Sequence, residues 1–183
     1  MEGKNSADLI KTLKTIYKQQ KGSRLYYEVL TQSINKPNCC DKWEATLNKD
    51  TKWRITFKKM QQIQEMKLKW FQIELVHRLT ATNVVLAHMG IETDITCSFC
   101  RKERDSINHI FWSCTYVSSF REQFQIVLNA GCLNATSVTL NENIVLFGHD
   151  IHFKSNTAFD LIILQAKFFI YKCKINKTIP QSH

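Results

Sequence analysis

The fold is decided by a stretch of eighteen residues, Cys97-Ser-Phe-Cys100-Arg-Lys-Glu-Arg-Asp-Ser-Ile-Asn-His109-Ile-Phe-Trp-Ser-Cys114. Three thiolates and one imidazole supply the tetrahedral ligand set of zinc, and the two-residue gap between Cys97 and Cys100 lets both sulfurs of one tight turn face the same ion. Four protein ligands leave no position for water, so the pattern predicts one structural Zn²⁺ bound by Cys97, Cys100, His109 and Cys114. The alternative is two unrelated cysteine pairs in a reduced protein.

The loop between the ligands is basic and contains a helix signal. Its cations, Arg101, Lys102 and Arg104, either offset the negative charge of a three-thiolate site, contact phosphate, or only interact with solvent. Asp105 or Ser106 can cap a short helical turn that carries His109. His109 and Cys114 are five residues apart and do not share a face as an i, i+4 pair does, so the turn must end or bend before Cys114.

Aromatic residues lie close to the ligands in the sequence, namely Phe99, Phe111 and Trp112. Such rings can stack on unpaired bases or can pack the loop against helices. Packing is favoured because so small a loop has few other apolar residues. His77 and His88 fall outside the ligand spacing, and nothing nearby completes a second site around Cys39 and Cys40.

Helical periodicity extends outward from this loop in both directions. The strongest stripe lies within a predicted helix over Met66–Thr80, where one face carries Leu68, Phe71, Leu75 and Leu79. Before it the sequence predicts helices over Ser6–Gln20 and Ser23–Ile34, then two amphipathic stretches separated by Asn48–Asp50, and after it a short helix from Asn83 to Gly90.

The part of the chain after the loop is also mostly helical. One helix with Val117, Phe120, Phe124 and Val127 on one face is expected to stop at Gly131. A loop over Cys132–Asn143 and a short strand or buried extended piece at Ile144–Phe147 follow. The last helix, Thr157–Lys174, is apolar on most sides and therefore packs into the core. Its end is expected to form a basic tail of Lys167, Lys172, Lys174 and Lys177. These patterns predict a mainly α fold, a helical domain with an inserted small Cys-Cys-His-Cys zinc loop.

Composition agrees with helices and indicates the class of partner. The 183 residues include only 5 Gly and 2 Pro, which disfavours a turn-rich β fold. The net charge is +9, and Met1–Thr80 holds 16 basic but only 8 acidic residues. An excess in one half of the chain favours a surface that faces a polyanion, here RNA or single-stranded DNA, although lysines on exposed helix faces give the same count. The candidate contacts are Lys67, Lys69, Arg78, Arg101, Lys102 and Arg104.

The cysteines and the N-terminus indicate a reducing compartment. Met1-Glu-Gly-Lys-Asn-Ser-Ala-Asp lacks the apolar core of a signal peptide, and the longest apolar stretch, Phe159–Tyr171, is too short and too charged to span a bilayer. The sequence therefore predicts a soluble intracellular protein of the nucleus or cytoplasm, not secreted and without a membrane partner. Cys132 and Cys173 are interpreted as buried thiols, and a Cys-x2-Cys redox role would need a βαβ setting that the pattern lacks.

A family resemblance joins these features. Lys67-Leu-Lys-Trp-Phe-Gln-Ile-Glu-Leu-Val-His-Arg-Leu-Thr-Ala-Thr-Asn83, then Leu86-Ala-His-Met-Gly-Ile91, then the four ligands in order resemble the zinc-binding C-terminal segment of reverse transcriptases from LINE-type, non-long-terminal-repeat retrotransposons. The resemblance extends from about Tyr26 to Lys177. It implies that Cys97, Cys100, His109 and Cys114 bind zinc, and that the segment helps to bind element RNA and target DNA during target-primed reverse transcription.

The resemblance is to an accessory segment, which limits the predicted function. The sequence lacks a paired-aspartate polymerase motif and an endonuclease segment, so we expect no catalysis from this chain alone. The predicted organisation is a basic helical region at 1–65, the zinc-binding segment at 66–130, and a loop plus packing helix at 131–183. Three hypotheses follow: a nucleic-acid-binding module, a structural or protein-interaction remnant of a retroelement, and the tail of an active reverse transcriptase. The sequence gives no basis for predicting the oligomeric state.

Overall fold

The structure, a computed structural model, describes residues 11, 14–15, 37–47, 51–131, 139–148 and 157–181. Within these ranges the fold is mainly α and has no β-strand, which confirms the predicted class; the elements with described bounds are seven α-helices and one π-helical turn. The chain divides into two compact units, Met1–Asp50 and Thr51–His183. The division into segments 1–65, 66–130 and 131–183 stays a prediction.

The first unit contains helix α1, Asn38–Leu47. Its buried residues, Cys39, Cys40, Trp43 and Leu47, recur at helical spacing and form one apolar stripe. The helices predicted over Ser6–Gln20 and Ser23–Ile34 lie outside the described residues, except that Lys11, Lys14 and Thr15 are helical.

The second unit begins with helices α2, Trp53–Gln62, and α3, Met66–Val76. Helix α3 buries Leu68, Phe71 and Leu75, as its apolar stripe predicts. The ring of Phe71 contacts Phe111 of the ligand loop, with 6.0 Å between ring centres, and also contacts two aromatic rings of the last helix. This ring therefore joins the metal-ligand segment to the helical core.

The predicted end of α3 at Thr80 is wrong, because the helix stops four residues earlier. Arg78 adopts the left-handed conformation, with φ of 60°. The amide of Leu79 donates to Glu74 O and the amide of Arg78 donates to Leu75 O, the two hydrogen bonds of a Schellman motif. Leu79 consequently leaves the stripe and is 59 % exposed. Glycine usually occupies this left-handed position, so an arginine there gave no stop signal in the sequence.

The next helix matches its prediction at both ends. Helix α4 spans Asn83–His88, and the Thr82 side chain accepts a hydrogen bond from Val85 N at its start. Gly90 ends it with φ of 70°, where the absence of a Cβ removes the steric cost of the left-handed conformation.

Helix α5, Thr115–Gly131, ends where the sequence predicts. Its predicted apolar face is partly wrong: Val117 is buried, whereas Val127 is 67 % exposed and Leu128 is buried instead.

The predicted strand or extended piece at Ile144–Phe147 is wrong. Glu142–Phe147 form helix α6, and so the last two residues of the predicted loop Cys132–Asn143 are helical as well. The side chain of Asn141 caps the helix by accepting from Ile144 N, and Gly148 ends it with φ of 68°. Both signals were present in the sequence, but a four-residue apolar run is too short to show a helical period. Cys132–Val138 lie outside the described residues.

Helix α7, Thr157–Ile175, confirms the predicted packing helix. Its inward residues are Ile163, Leu164, Lys167, Ile170, Cys173 and Lys174. The expected basic tail is therefore wrong for two of its lysines, since Lys167 and Lys174 are buried. No helix among the described residues combines the length and apolarity needed to cross a bilayer.

Candidate metal centre

The first two cysteines are held by a short knuckle between Ile95 and Asp105. The amide of Cys97 donates to Glu103 O, and the amide of Asp105 donates to Ile95 O. These hydrogen bonds pair the two arms of the loop around an isolated antiparallel bridge between Thr96 and Arg104. Arg101 makes the reversal with φ of 54°. The knuckle aims both sulfurs inward, because the backbone turns back immediately after Cys100.

The other two ligands are placed by a π-helical turn, His109–Ser113. Ile107 and Asn108 are helical directly before it, and Ser106 caps this helical start, since Ser106 Oγ accepts from His109 N at 3.2 Å. The amide of Cys114 donates to His109 O, five residues back, at 2.9 Å. A π turn holds one more residue than an α turn, so it brings residues five apart to the same side. Cys114 itself is extended, with ψ of 130°, which confirms that the turn ends before it.

The four ligand atoms fit one metal ion. They all lie within 4.8 Å of one another. The sulfurs of Cys97 and Cys114 are 3.9 Å apart, and Cys100 Sγ is 3.3 Å from His109 Nε2. A tetrahedral zinc site with usual bond lengths has edges of about 3.8 Å between sulfurs and about 3.6 Å between sulfur and nitrogen. The donor set and its spacing therefore suit Zn²⁺.

Contacts around the ligands orient them for metal binding. His109 Nδ1 lies 3.1 Å from Ser113 Oγ. A proton on Nδ1 that is donated to this hydroxyl leaves Nε2 free to bind the ion. The amide of Phe99 donates to Cys97 Sγ at 3.4 Å, which stabilises a thiolate there.

The thiols also differ in acidity. The hydrogen bond between the two sulfurs, together with burial, raises the pKa of Cys97, whereas the same hydrogen bond lowers the pKa of Cys114. Metal binding must therefore displace a proton from Cys97, and the affinity for the metal decreases as the pH falls.

A buried polar network attaches the knuckle to two helices. Asp105, which is fully buried, accepts from Asn83 N at 3.0 Å and pairs with Lys174 Nζ at 3.2 Å. Asn83 in turn donates to Thr96 O at 2.8 Å and accepts from Lys174 at 2.9 Å. The network thus connects the knuckle, the start of α4 and the end of α7. Burial raises the pKa of Asp105 despite these partners.

Sequence reasoning did not identify this network, although it named Asp105 as a candidate cap. The three residues are far apart in the chain, and none has a spacing that predicts the others. An aspartate after a basic run is also a common surface pattern.

The aromatic neighbours of the ligands pack as expected. Phe111 is 1 % exposed and Phe99 is 7 % exposed. Trp112 is half-buried beneath Arg121, whose guanidinium lies 3.9 Å from the ring centre and donates to Trp112 O. Burial lowers the pKa of Arg121. These rings therefore form the link between the loop and helices α3 and α5.

The six candidate nucleic-acid contacts differ in their surroundings. Arg101, Lys102 and Arg104 are all exposed on the knuckle. Lys67 is exposed on α3, but Lys69 is half-buried and donates to Gln61 O at 3.3 Å. Arg78 is half-buried at the end of α3, and burial lowers its pKa.

The remaining cysteines and histidines separate clearly from this cluster. Within the described ranges, the four ligands form the one group of His, Cys, Asp or Glu side chains that is close enough to hold a metal. Cys39, Cys40 and Cys173 are buried cysteines outside any disulfide, and Cys132 lies outside the described residues. His77 and His88 are not part of the cluster.

A helical unit with a three-cysteine, one-histidine centre defines a zinc-binding module. Comparison with protein families agrees: the model of the family described as zinc-binding in reverse transcriptase matches residues 23–120, more than half of the chain. The chain belongs to this family, and Zn²⁺ is the cofactor that both the family and the donor set indicate. No curated protein and no solved structure matches the chain.

Proposed function

We propose that this chain is a non-catalytic module of LINE-type retroelement origin that binds RNA or single-stranded DNA. In this proposal Cys97, Cys100, His109 and Cys114 hold one structural zinc. The supporting observation is the knuckle itself, which buries Cys97 and exposes Arg101, Lys102 and Arg104 on the outside of the same turn. The metal site then fixes the turn that presents the three cations.

The electrostatics favour phosphate as the partner of these cations. Three thiolates and Zn²⁺ carry a net charge of −1, so the three basic side chains more than offset the centre. Glu103 lies between them in the sequence and is also exposed, which leaves a net positive outer surface. A polyanion neutralises this surface and releases counterions, which makes binding strongly dependent on salt. The protein would act in the nucleus or cytoplasm, where such partners occur.

A salt series tests this function. Fluorescence anisotropy of a labelled single-stranded RNA is measured with the zinc-loaded protein at several salt concentrations. We expect affinity to fall steeply with salt, and the triple variant Arg101→Gln/Lys102→Gln/Arg104→Gln to reduce the logarithmic slope by roughly 2, at about 0.7 per lost phosphate contact. The matched control removes three exposed cations, Lys52 at the N-cap of helix α2 and Arg54 and Lys58 within it. A flat salt response of the unmodified protein contradicts the proposal.

The metal assignment has its own test. Cobalt in place of zinc reports its ligands by the intensity of its visible bands and by thiolate charge transfer. A tetrahedral three-thiolate spectrum supports the assignment, and Cys114→Ser should weaken the charge-transfer band. A six-coordinate spectrum with oxygen ligands contradicts it.

A second function, as a protein-interaction remnant, is favoured by one observation. Ile126 and Val127 of α5 are 68 % and 67 % exposed and adjacent to each other. Exposed apolar side chains of this size mark contact surfaces when they are clustered. Zinc-dependent folding without any RNA affinity supports this function over the first.

A further inference from the structure

A second basic surface lies away from the knuckle, where helices α3 and α7 meet. Two ammonium groups converge there on the ring of Phe168, with Lys67 Nζ 5.5 Å and Lys172 Nζ 5.6 Å from its centre. Both lysines are exposed, and Phe168 is half-buried. The ring face attracts each cation, but the two cations repel each other.

The charge at this surface is not balanced by carboxylates within the described part of the chain. Neither Lys67 nor Lys172 forms an ion pair there. Glu65 precedes the helix as its N-cap residue, and Glu74 lies two turns after Lys67, where its charge raises the pKa of Tyr171 after the larger effect of burial. Two converging cations without a counter-ion form a site that an anionic ligand stabilises.

An exposed indole lies on α3 near the first of these cations. Trp70 follows Lys67 by three residues and so lies one helical turn from it on a neighbouring part of the surface. Its side chain is 56 % exposed, although its neighbour Phe71 is 3 % exposed. An exposed ring one turn from an unpaired cation combines the two elements of single-strand recognition, a stacking platform and a phosphate contact.

We infer that Lys67, Trp70, Phe168 and Lys172, here called the α3–α7 patch, bind a single-stranded segment of nucleic acid. Trp70 stacks on an unpaired base, and the two lysines contact the adjoining phosphates. This inference rests on the proposed function and adds a second contact surface to the knuckle. The patch selects single strands, because a base within a duplex cannot present its face to the indole.

Anisotropy titrations of the zinc-loaded chain test the patch with a short mixed-sequence RNA, the matching single-stranded DNA and the duplex. We expect Trp70→Ala to weaken single-strand binding roughly 5- to 100-fold and Trp70→Phe to retain part of the affinity. Lys67→Gln/Lys172→Gln should lower the salt slope by roughly 0.7 to 1.4. The matched controls are Arg54→Gln/Lys58→Gln for charge and Ile126→Ala for an exposed apolar side chain. Thermal unfolding should be nearly unchanged in Trp70→Ala, since the indole is more than half exposed.

The outcomes separate this inference from the function on which it rests. If the unmodified protein binds RNA and the patch variants bind as tightly as the controls, the patch is overturned and the proposed function stands. If the unmodified protein does not bind at low salt, both are overturned. Equal binding of single strands and duplex also overturns the patch, because it means that no base is stacked.

Discussion

Helix α7 buries two lysines, Lys167 and Lys174, and their ammonium groups have different partners. At the metal end, Lys174 pairs with the Asp105 carboxylate of the knuckle. Two turns earlier in the helix, on the side of the core cavity, Lys167 donates to two neutral oxygens, Gln72 Oε1 at 2.6 Å and Leu146 O at 3.0 Å. Within the described residues no carboxylate forms an ion pair with Lys167. One buried ammonium is therefore paired directly with a carboxylate, whereas the other is influenced by the Asp160 carboxylate without an ion pair.

The two surroundings explain this difference. The knuckle has little apolar surface, so a polar network attaches it to the helices, and a network needs matched charges to be stable. Lys167 instead lies among core helices beside a cavity of about 230 Å³, which is also lined by the ion-paired Lys59 and Asp160. Burial lowers the pKa of Lys167 to about 7. The region around the metal site, with Lys174, therefore depends on its polar partners, whereas Lys167 beside the cavity carries a charge that lowers stability.

Loss of a metal ligand should have the largest effect. We expect Cys114→Ser to abolish stoichiometric zinc and to expose the amides of residues 95–116 to hydrogen exchange, because the binding energy of such a site is largely folding energy, roughly 10–16 kcal/mol. Ile110 and Phe111 are buried in the core, so the helices of residues 51–183 should also lose thermal stability. The matched control is Cys173→Ser, a buried thiol outside the cluster. Full zinc occupancy in Cys114→Ser contradicts the ligand assignment.

Removing the charge of Asp105 should have the second-largest effect on stability. Asp105→Asn keeps the size of the side chain but leaves the Lys174 ammonium buried without its carboxylate, which typically costs about 3–5 kcal/mol. Chemical denaturation of the zinc-loaded protein measures this loss. Adding Lys174→Met should recover much of it, since an ion pair replaced as a whole is often nearly neutral. If the double variant is less stable than Asp105→Asn, the pair is not the source of the effect.

The Lys167 charge predicts a pH dependence. Its folded-state pKa is about 7, below the ordinary value of 10.5, so the unfolded chain binds more protons between these pH values. Stability from this group is therefore lowest below pH 7 and rises as the pH increases to about 10, by as much as about 4 kcal/mol.

Lys167→Met should remove this rise and stabilise the protein at pH 7 and below. Urea denaturation of both proteins at a series of pH values measures the difference, in which the titrations of other groups cancel. The Lys172→Met variant, an exposed lysine of the same helix, is the control. Parallel curves for the unmodified protein and Lys167→Met would show that folding does not lower the pKa of the buried ammonium.

The smallest expected effect comes from removing the hydrogen-bond partner of His109 Nδ1. Ser113→Ala removes the hydroxyl 3.1 Å from His109 Nδ1, and loss of such a partner typically costs 10- to 100-fold in metal affinity. Competition with a chromophoric chelator measures the change. Ser119→Ala, an exposed serine of α5 whose hydroxyl donates only to Thr115 O among the described contacts, should leave the affinity unchanged. An unchanged affinity in Ser113→Ala would mean that the π turn alone orients the imidazole.

Local patterns predicted much of this structure. Helices α3, α4, α5 and α7 follow from periodicity and end signals, since an apolar stripe and a terminating glycine can both be recognised within one short segment. The four clustered ligands follow from spacing, because zinc chemistry restricts which residues can surround one ion. The errors arose where a segment lacks the usual sequence signals. Arg78 occupies a left-handed position that glycine usually takes, and the helix Glu142–Phe147 is too short to show a helical period.

The sequence by itself determined the helical class, the zinc ligand set and the basic knuckle, because each is encoded by neighbours within about twenty residues. Only the tertiary structure decided which lysines are buried, that Asp105 joins the knuckle to α4 and α7, and that Lys67 meets Lys172 across Phe168. Most of these contacts link residues far apart in the chain, such as Lys174 and Asn83 at 91 positions and Lys167 and Gln72 at 95. Nothing in a local pattern encodes such contacts, since they arise from how whole helices pack.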